Sequence, residues 1–366
     1  MHSMTAHVID RSRHPVVELR RRVSRRWSLF GFVNLVLIVA GVSYLVGFGA
    51  YGFVVGAGEY LDAHPEIAAC DNPSSRFGWP YEAINYDKAD DARLLATTPD
   101  ATNCGYQGSL AGTGVVSADG TRIAGWYIPA VRGSATGPTV VLVHGGKSNK
   151  SGMLEYAPAF HDAYNLVILD LRHSGRSTGR ESTGGVRERA DLRALIDWLA
   201  KTKHPGWIAL MGNSNGAATA LAEAVGDVRI KALILDSMHA TVGRQLANVI
   251  ETERHLPSWP AAGAVVAGVT ARIGEDLSSV DPIRTIAQLR GRPLLLTHGL
   301  ADTIDRPEQS LELNAAAARD AGLDVRVEVC EGAGHGQVVA KCGMAWAAAV
   351  RDFLADYLHI ERTDGR

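Results

Sequence analysis

"LMGNSNGAATAL", Leu210 to Leu221, sets an apolar run against a Gly-Asn-Ser-Asn-Gly knot and then small residues at helical spacing. Two readings compete for it. Either this is an ordinary strand-to-helix turn, or the backbone is bent hard enough to hold the Ser214 hydroxyl in the open. A turn that sharp forces the serine into a strained conformation. Gly212 and Gly216 remove the side chains that would collide across it, and Ala217 and Ala218 allow close helix packing.

The flanking sequence alternates in the same manner. "TVVLVHGG", "LVILD" (Leu166 to Asp170), "WIALMG", "KALILD", "RPLLLTHG" and "VRVEV" are short apolar strands. Between them "VRERADLRALIDWLAKT" places Ala190, Leu192, Leu195, Ile196 and Leu199 on one helical stripe, and "PEQSLELNAAAARDAG" and "AWAAAVRDFLADYL" behave likewise. Near-continuous apolar strands alternating with helices predict an α/β fold, a mainly parallel sheet covered on both faces. "TGVVSADGTRIAGWYIPA" adds a hairpin about Asp119-Gly120. The unit extends over 108–362 and follows a tether or N-terminal wrap over 58–107. Met238 to Val280 is too long for a simple connection and reads as a small helical cap.

In a parallel sheet, ligands gather beyond the carboxyl ends of the strands. Four such ends carry notable residues: Gly145-Gly146, Ser214, Asp302 and His335. Gly212-Asn213-Ser214-Asn215-Gly216 resembles the nucleophile elbow of the α/β-hydrolase superfamily, and the chain order serine, acid, histidine is that family's. The resemblance covers most of Thr113 to His359. It implies Ser214 as nucleophile, His335 as general base and Asp302 as the acid that orients the imidazole. Asp305 and Asp236 are alternative acids. His144, His173 and His298 are expected to make structural hydrogen bonds. The resemblance further implies an oxyanion hole from the N–H of Asn215 and that of Gly146, with Lys147 the alternative donor, in "HGGKSNK". "DLRHSGRS" also matches, although His173 stands where many relatives have glycine. "GGKS" is not a phosphate-binding loop, because the position that requires a further glycine is Val141, inside a strand.

The implied chemistry is hydrolysis of carboxylic esters or thioesters through an acyl-enzyme, with no metal or organic cofactor and a small acyl-ester or lipid-like substrate. A serine peptidase or amidase of the same fold is the alternative. A binding protein that has lost catalysis is the second, although every triad candidate is present.

Charge and hydropathy place the unit. A formal net charge of -2 gives no global case for nucleic acid. Seven arginines lie between Arg11 and Arg26 against one acid, Glu18, and Trp27 to Gly58 follows without a charged side chain. A bilayer core of about 30 Å needs roughly 20 apolar residues as helix. The sequence therefore predicts a basic cytoplasmic segment over 1–28, an uncleaved single-pass anchor over 29–57, and a catalytic domain outside the cell membrane. In that oxidising setting the four cysteines suggest the bridges Cys70–Cys104 and Cys330–Cys342. The second would tether the loop that holds His335.

Overall fold

Strands apolar on both faces are stable only with cover on each side. The computed structural model, which describes residues 15–55, 70–84 and 114–364, has that architecture. Its strands are β1 (Glu82–Ile84), β2 (Val115–Val116), β3 (Arg122–Ile123), β4 (Gly125–Ile128), β5 (Thr139–Val143), β6 (Asn165–Leu169), β7 (Ile208–Asn213), β8 (Ile230–Asp236), β9 (Leu294–Gly299) and β10 (Val325–Cys330). The longer helices are α1 (Pro15–Val55), α2 (Glu188–Thr202), α3 (Asn215–Gly226), α4 (Val242–Glu253), α5 (Ala261–Ile273), α6 (Leu311–Asp320) and α7 (Val338–Asp364), the last kinked at Cys342.

Eight strands form one sheet in the order β1-β4-β6-β5-β7-β8-β9-β10. From β6 to β10 it is parallel, and β4 and β1 join antiparallel at one edge. The chain leaves β5 for β6 on one side and returns to β7 on the other. The ends of β5 and β7 are thus a topological switch point, where open α/β sheets bind ligands. On one face, Ile208 and Leu210 pack with Leu192, Leu195, Ile196 and Leu199 of α2 and Leu221 of α3. On the other, Ala209 and Met211 meet Tyr156, Phe160 and Trp346. Ala190 sits only at the margin of the α2 stripe.

Two features differ from the sequence pattern. The hairpin turn about Asp119-Gly120 forms, but its second run splits. Arg122–Ile123 closes the hairpin, and Gly125–Ile128 crosses to the main sheet. The break falls at Ala124, whose N–H is donated to Ser177 Oγ (2.8 Å) instead of to a strand. Within the expected wrap, 70–84 adds β1 to the sheet edge, a strand of three residues and too short to show a period. The expected cap segment contains α4 and α5.

A disulfide joins Cys330, the last residue of β10, to Cys342 in α7, with Cα atoms 6.0 Å apart. Cys104 lies outside the described residues, and with it the expected pairing to Cys70. Replacing both Cys330 and Cys342 by alanine is expected to lower the unfolding free energy by about 3 kcal/mol, read from urea denaturation. Alkylation of either thiol in the native, unreduced protein would show that the bridge does not form.

Candidate active site

The strand-to-helix turn after β7 is as sharp as its glycines demand. Ser214 has φ 51° and ψ −121°, a conformation a serine adopts only when its surroundings enforce it. A Cβ on Gly212 would collide with the backbone of Ala217, and one on Gly216 with the carbonyls of Val143 and His144. The Ser214 N–H is donated to the Asp236 carbonyl (2.8 Å). The Asp236 carboxylate accepts from Tyr156 Oη (2.9 Å), Asn213 Nδ2 (3.0 Å) and Thr297 Oγ1 (2.7 Å). Asp236, one of the alternative acids, is therefore engaged in holding the elbow and does not reach a histidine hydrogen bond. Its complete burial pushes its carboxyl pKa upward against those three donors.

Ser214, His335 and Asp302 come together from three strand ends. His335 Nε2 lies 2.9 Å from Ser214 Oγ, and its Nδ1 lies 2.8 Å from Asp302 Oδ2. Asp302 Oδ1 accepts the N–H groups of Ile304 and Asp305, each at 2.9 Å. Burial would raise the Asp302 pKa, but hydrogen bonds from His298 and His335 hold it well below the usual carboxylate range. Burial likewise opposes charge on His335. The hydrogen bond to Asp302 and the charges of Asp302 and Asp305 prevail and raise the imidazole above its ordinary value.

Asp305, the other alternative acid, has Oδ2 3.7 Å from His335 Nδ1, beyond hydrogen-bond reach. It accepts from Gln245 Nε2 of α4 (2.8 Å), while its Oδ1 finds no partner among the described residues. Burial pushes it up to about 6. His298 makes its structural bond, Nε2 to the Asp305 carbonyl (2.6 Å), and also lies 3.3 Å from Asp302 Oδ2.

The loop after β5 is fixed by His144. Its Nε2 accepts the Leu171 N–H (3.0 Å), which leaves Nδ1 to donate to the Gly145 carbonyl (2.7 Å). Burial depresses its pKa and keeps that tautomer neutral. Gly146 and Asn215 adjoin one another beside Ser214. As the first residue of α3, Asn215 has an N–H without an intrahelical acceptor. Lys147 has φ 54° and lines the same space. The His173 ring makes a long contact to the Gly179 carbonyl (3.4 Å), and its backbone N–H is donated to the Thr178 carbonyl (3.0 Å).

Above Ser214 and His335 opens a cavity of about 300 Å³. Its walls are Val242, Leu246 and Val249 of α4, Val265, Val266 and Val269 of α5, and Leu277 and Ile304. Gln245, whose amide reaches Asp305, lines it too, and Asn248 Nδ2 binds the Ile304 carbonyl (2.9 Å), so α4 is pinned to the acid loop. Neither residue carries a sequence signal beyond its place on a cap helix. His239 is another that sequence reasoning passed over. It is fully buried, its ring nitrogens have no hydrogen-bond partner among the described residues, and it is pushed down to about 4 by burial and by His335.

Two family models match the chain: X-Pro dipeptidyl-peptidase (S15 family) over residues 85–259, and the prolyl oligopeptidase family over residues 176–361, just over half its length. The chain belongs to the prolyl oligopeptidase family. It is a serine hydrolase of the α/β-hydrolase fold. YqkD of Bacillus subtilis is 32% identical over 192 residues, 51% of this chain and 62% of its own, so less than two thirds of that relative is spanned. Rv2307c of Mycobacterium tuberculosis is 32% identical over 245 residues, 66% of this chain and 78% of its own. The esterase Pf2001 of Pyrococcus furiosus superposes with a TM-score of 0.55 at 22% identity, covering 66% of this chain and 89% of that one. The α/β hydrolase GrgF from Penicillium sp. sh18 does so at 0.51 and 17%, covering 67% and 97%. At such identities the likeness is one of fold.

A carboxyl raised to about 6 destabilises the folded protein once it ionises. That cost is absent below the unfolded pKa of roughly 3.9, grows as pH rises, and is complete above about pH 6. Asp305→Asn should therefore raise the Tm at pH 7.5, with the gain fading as pH falls and gone near pH 4, by calorimetry across that range.

Proposed function

We propose that this serine hydrolase is a membrane-anchored carboxylic ester hydrolase, thioesters included, with Ser214 as nucleophile, His335 as general base and Asp302 as orienting acid. One observation carries the reading: the hydrogen-bonded chain from Asp302 through His335 to Ser214 opens into an apolar cavity. Ser214 Oγ attacks the acyl carbon as its proton passes to His335 Nε2. The oxyanion is received by the N–H groups of Asn215 and of Gly146 or Lys147. Its collapse expels the alkoxide or thiolate, which takes the proton from His335. Water, deprotonated by the same nitrogen, then attacks the acyl-enzyme and releases the carboxylic acid and Ser214.

The cavity walls favour an acyl chain. A peptide in extended form brings N–H and C=O groups that need partners, and Val242, Leu246, Val249, Val265, Val266 and Val269 supply none, while polar side chains such as Gln245 and Glu253 line a smaller part of the wall. The two peptidase family models favour a second reading, cleavage of peptides or amides. Parallel assays on p-nitrophenyl esters and on peptidyl p-nitroanilides separate the two. As the anchor we assign α1, whose Leu29–Gly49 stretch is long and apolar enough to cross a bilayer. The arginines before it favour a catalytic domain on the extracytoplasmic side.

Ser214→Ala is expected to abolish labelling by a fluorophosphonate and to lower kcat by about 10⁴-fold or more. An active, labelled alanine variant would remove the nucleophile assignment. The base works only when neutral, so kcat/KM should rise with pH through the His335 pKa. Because that pKa is raised, the acidic limb should lie above the ordinary imidazole value of 6.5. Asp302→Asn should move the limb downward and reduce kcat about 10⁴-fold by disfavouring the required tautomer. Asp305→Asn should cost less than about tenfold, a contrast that a pH–rate series on the two variants measures.

A further inference from the structure

The far end of the apolar stretch in α1 does not stand apart from the catalytic unit. A Cβ on Gly47 would collide with the backbone of Val265 in α5, and a Cβ on Gly268 with that of Tyr44 and Phe48 in α1. The two helices therefore touch backbone to backbone, the approach that small residues allow between helices in membranes. Arg272 secures the contact. Its Nη1 donates to the Phe48 carbonyl (2.9 Å), and its Nε to Glu181 Oε2 on the catalytic body (2.7 Å).

α5 has unusual demands on its surface. Apart from Arg272 in its last turn, Ala261–Ile273 has no charged side chain. A helix apolar on every side needs apolar cover on every side. One face packs on α1, and Val265, Val266 and Val269 line the cavity over Ser214. Gly263, Ala267 and Ala271, a third face, are exposed. Just before the helix, Leu256 and Trp259 are 59% and 68% exposed. Tyr44 to Gly49, where α5 docks, is the last turn and a half of the Leu29–Gly49 stretch, at the end away from the arginines. The apolar side chains of that stretch, such as Leu37, Ile38 and Leu45, are exposed and require lipid.

From these placements we infer that α5 and the loop before it sit in the membrane surface beside the anchor, and that the cavity takes one acyl chain of a membrane-resident lipid ester from the adjoining leaflet. The inference rests on the ester-hydrolase reading above and names its substrate class. Val265 joins the two, because it belongs both to the cavity wall and to the contact with Gly47. The wall of the acyl site is thus a single helix away from the hydrocarbon that surrounds α1. A chain moving from leaflet to cavity along that wall avoids exposing its methylenes to water, which a route through solvent would require.

The test uses the full chain in phosphatidylcholine vesicles. Hydrolysis of 4-methylumbelliferyl palmitate dissolved in the bilayer is compared with that of 4-methylumbelliferyl butyrate added from water. Gly47→Leu forces α1 off α5. Gly41→Leu makes the same change in the same stretch where a Cβ meets nothing within 4 Å. Gly47→Leu should lower palmitate turnover at least about tenfold with butyrate turnover within about twofold, and Gly41→Leu should leave both within about twofold. Undiminished palmitate turnover in Gly47→Leu overturns the inference. So does a parallel loss of both activities, which would make the contact merely structural. A wild type that cleaves butyrate but ignores vesicle-borne palmitate overturns it and leaves the ester reading standing. A wild type that fluorophosphonate labels but that cleaves neither ester overturns the ester reading, and this inference with it.

Discussion

The site depends on how closely α3 approaches the end of β5. With no side chain at residue 216, the first turn of the helix lies against the carbonyls of Val143 and His144, and the chain can turn back on itself at Ser214. That contact fixes three things together: the direction of the Ser214 hydroxyl, the position of the Asn215 amide and its proximity to Gly146. The backbone strain at Ser214 is on the order of 1–3 kcal/mol. Against it stand the Ser214 N–H bond to the Asp236 carbonyl and three donors on the Asp236 carboxylate. A hydrogen bond contributes about 0.5–1.5 kcal/mol net, so these bonds together are large enough to hold the turn. The elbow is held because the buried Asp236 carboxylate is hydrogen-bonded to Tyr156, Asn213 and Thr297 and to no histidine among the described residues.

Two other carboxylates, three residues apart, show how surroundings divide labour. Asp302 meets two backbone amides and two imidazoles, and remains charged although buried. Asp305 has one side-chain donor and an orphaned oxygen, and burial lifts it to about 6. Only the first is within hydrogen-bond reach of His335. The second contributes its charge from 3.7 Å and ties the acid loop to Gln245 of α4. A cap helix that lines the cavity is thereby connected to the electrostatics of the imidazole, so displacement of α4 would alter both the cavity and the charge facing His335.

What could be read from the sequence was whatever a short window encodes. The parallel strands declare themselves by unbroken apolar runs, and Ser214, Asp302 and His335 by their places at strand ends. The bridge between Cys330 and Cys342 followed from spacing. The misses have physical causes. β1 has three residues and gains its identity only from pairing with β4. The split after Ile123 is decided by a hydroxyl at Ser177, more than fifty positions away. Asp236 looked available because a strand-end aspartate resembles a catalytic one, and only the distant Tyr156 and Thr297 reveal its other employment. Gln245 and Asn248 lie on a helix whose sequence does not say which loop it will cover.

α5 illustrates the same limit at larger scale. Its composition, mostly glycine, alanine and valine with one threonine, one isoleucine and one arginine, gives no amphipathic stripe, because the helix has no single outward face. α1 claims one side through Gly47 and Gly268, and the cavity claims another through its valines. Packing of this kind has a consequence for how α1 should be regarded. A tether can be lengthened or exchanged for any apolar helix without effect on the domain it carries. A helix whose backbone meets that of the cap cannot, since any side chain larger than hydrogen at residue 47 must push Val265, and Val265 is part of the wall above Ser214. α1 is thus in backbone contact with the helix that walls the cavity above Ser214.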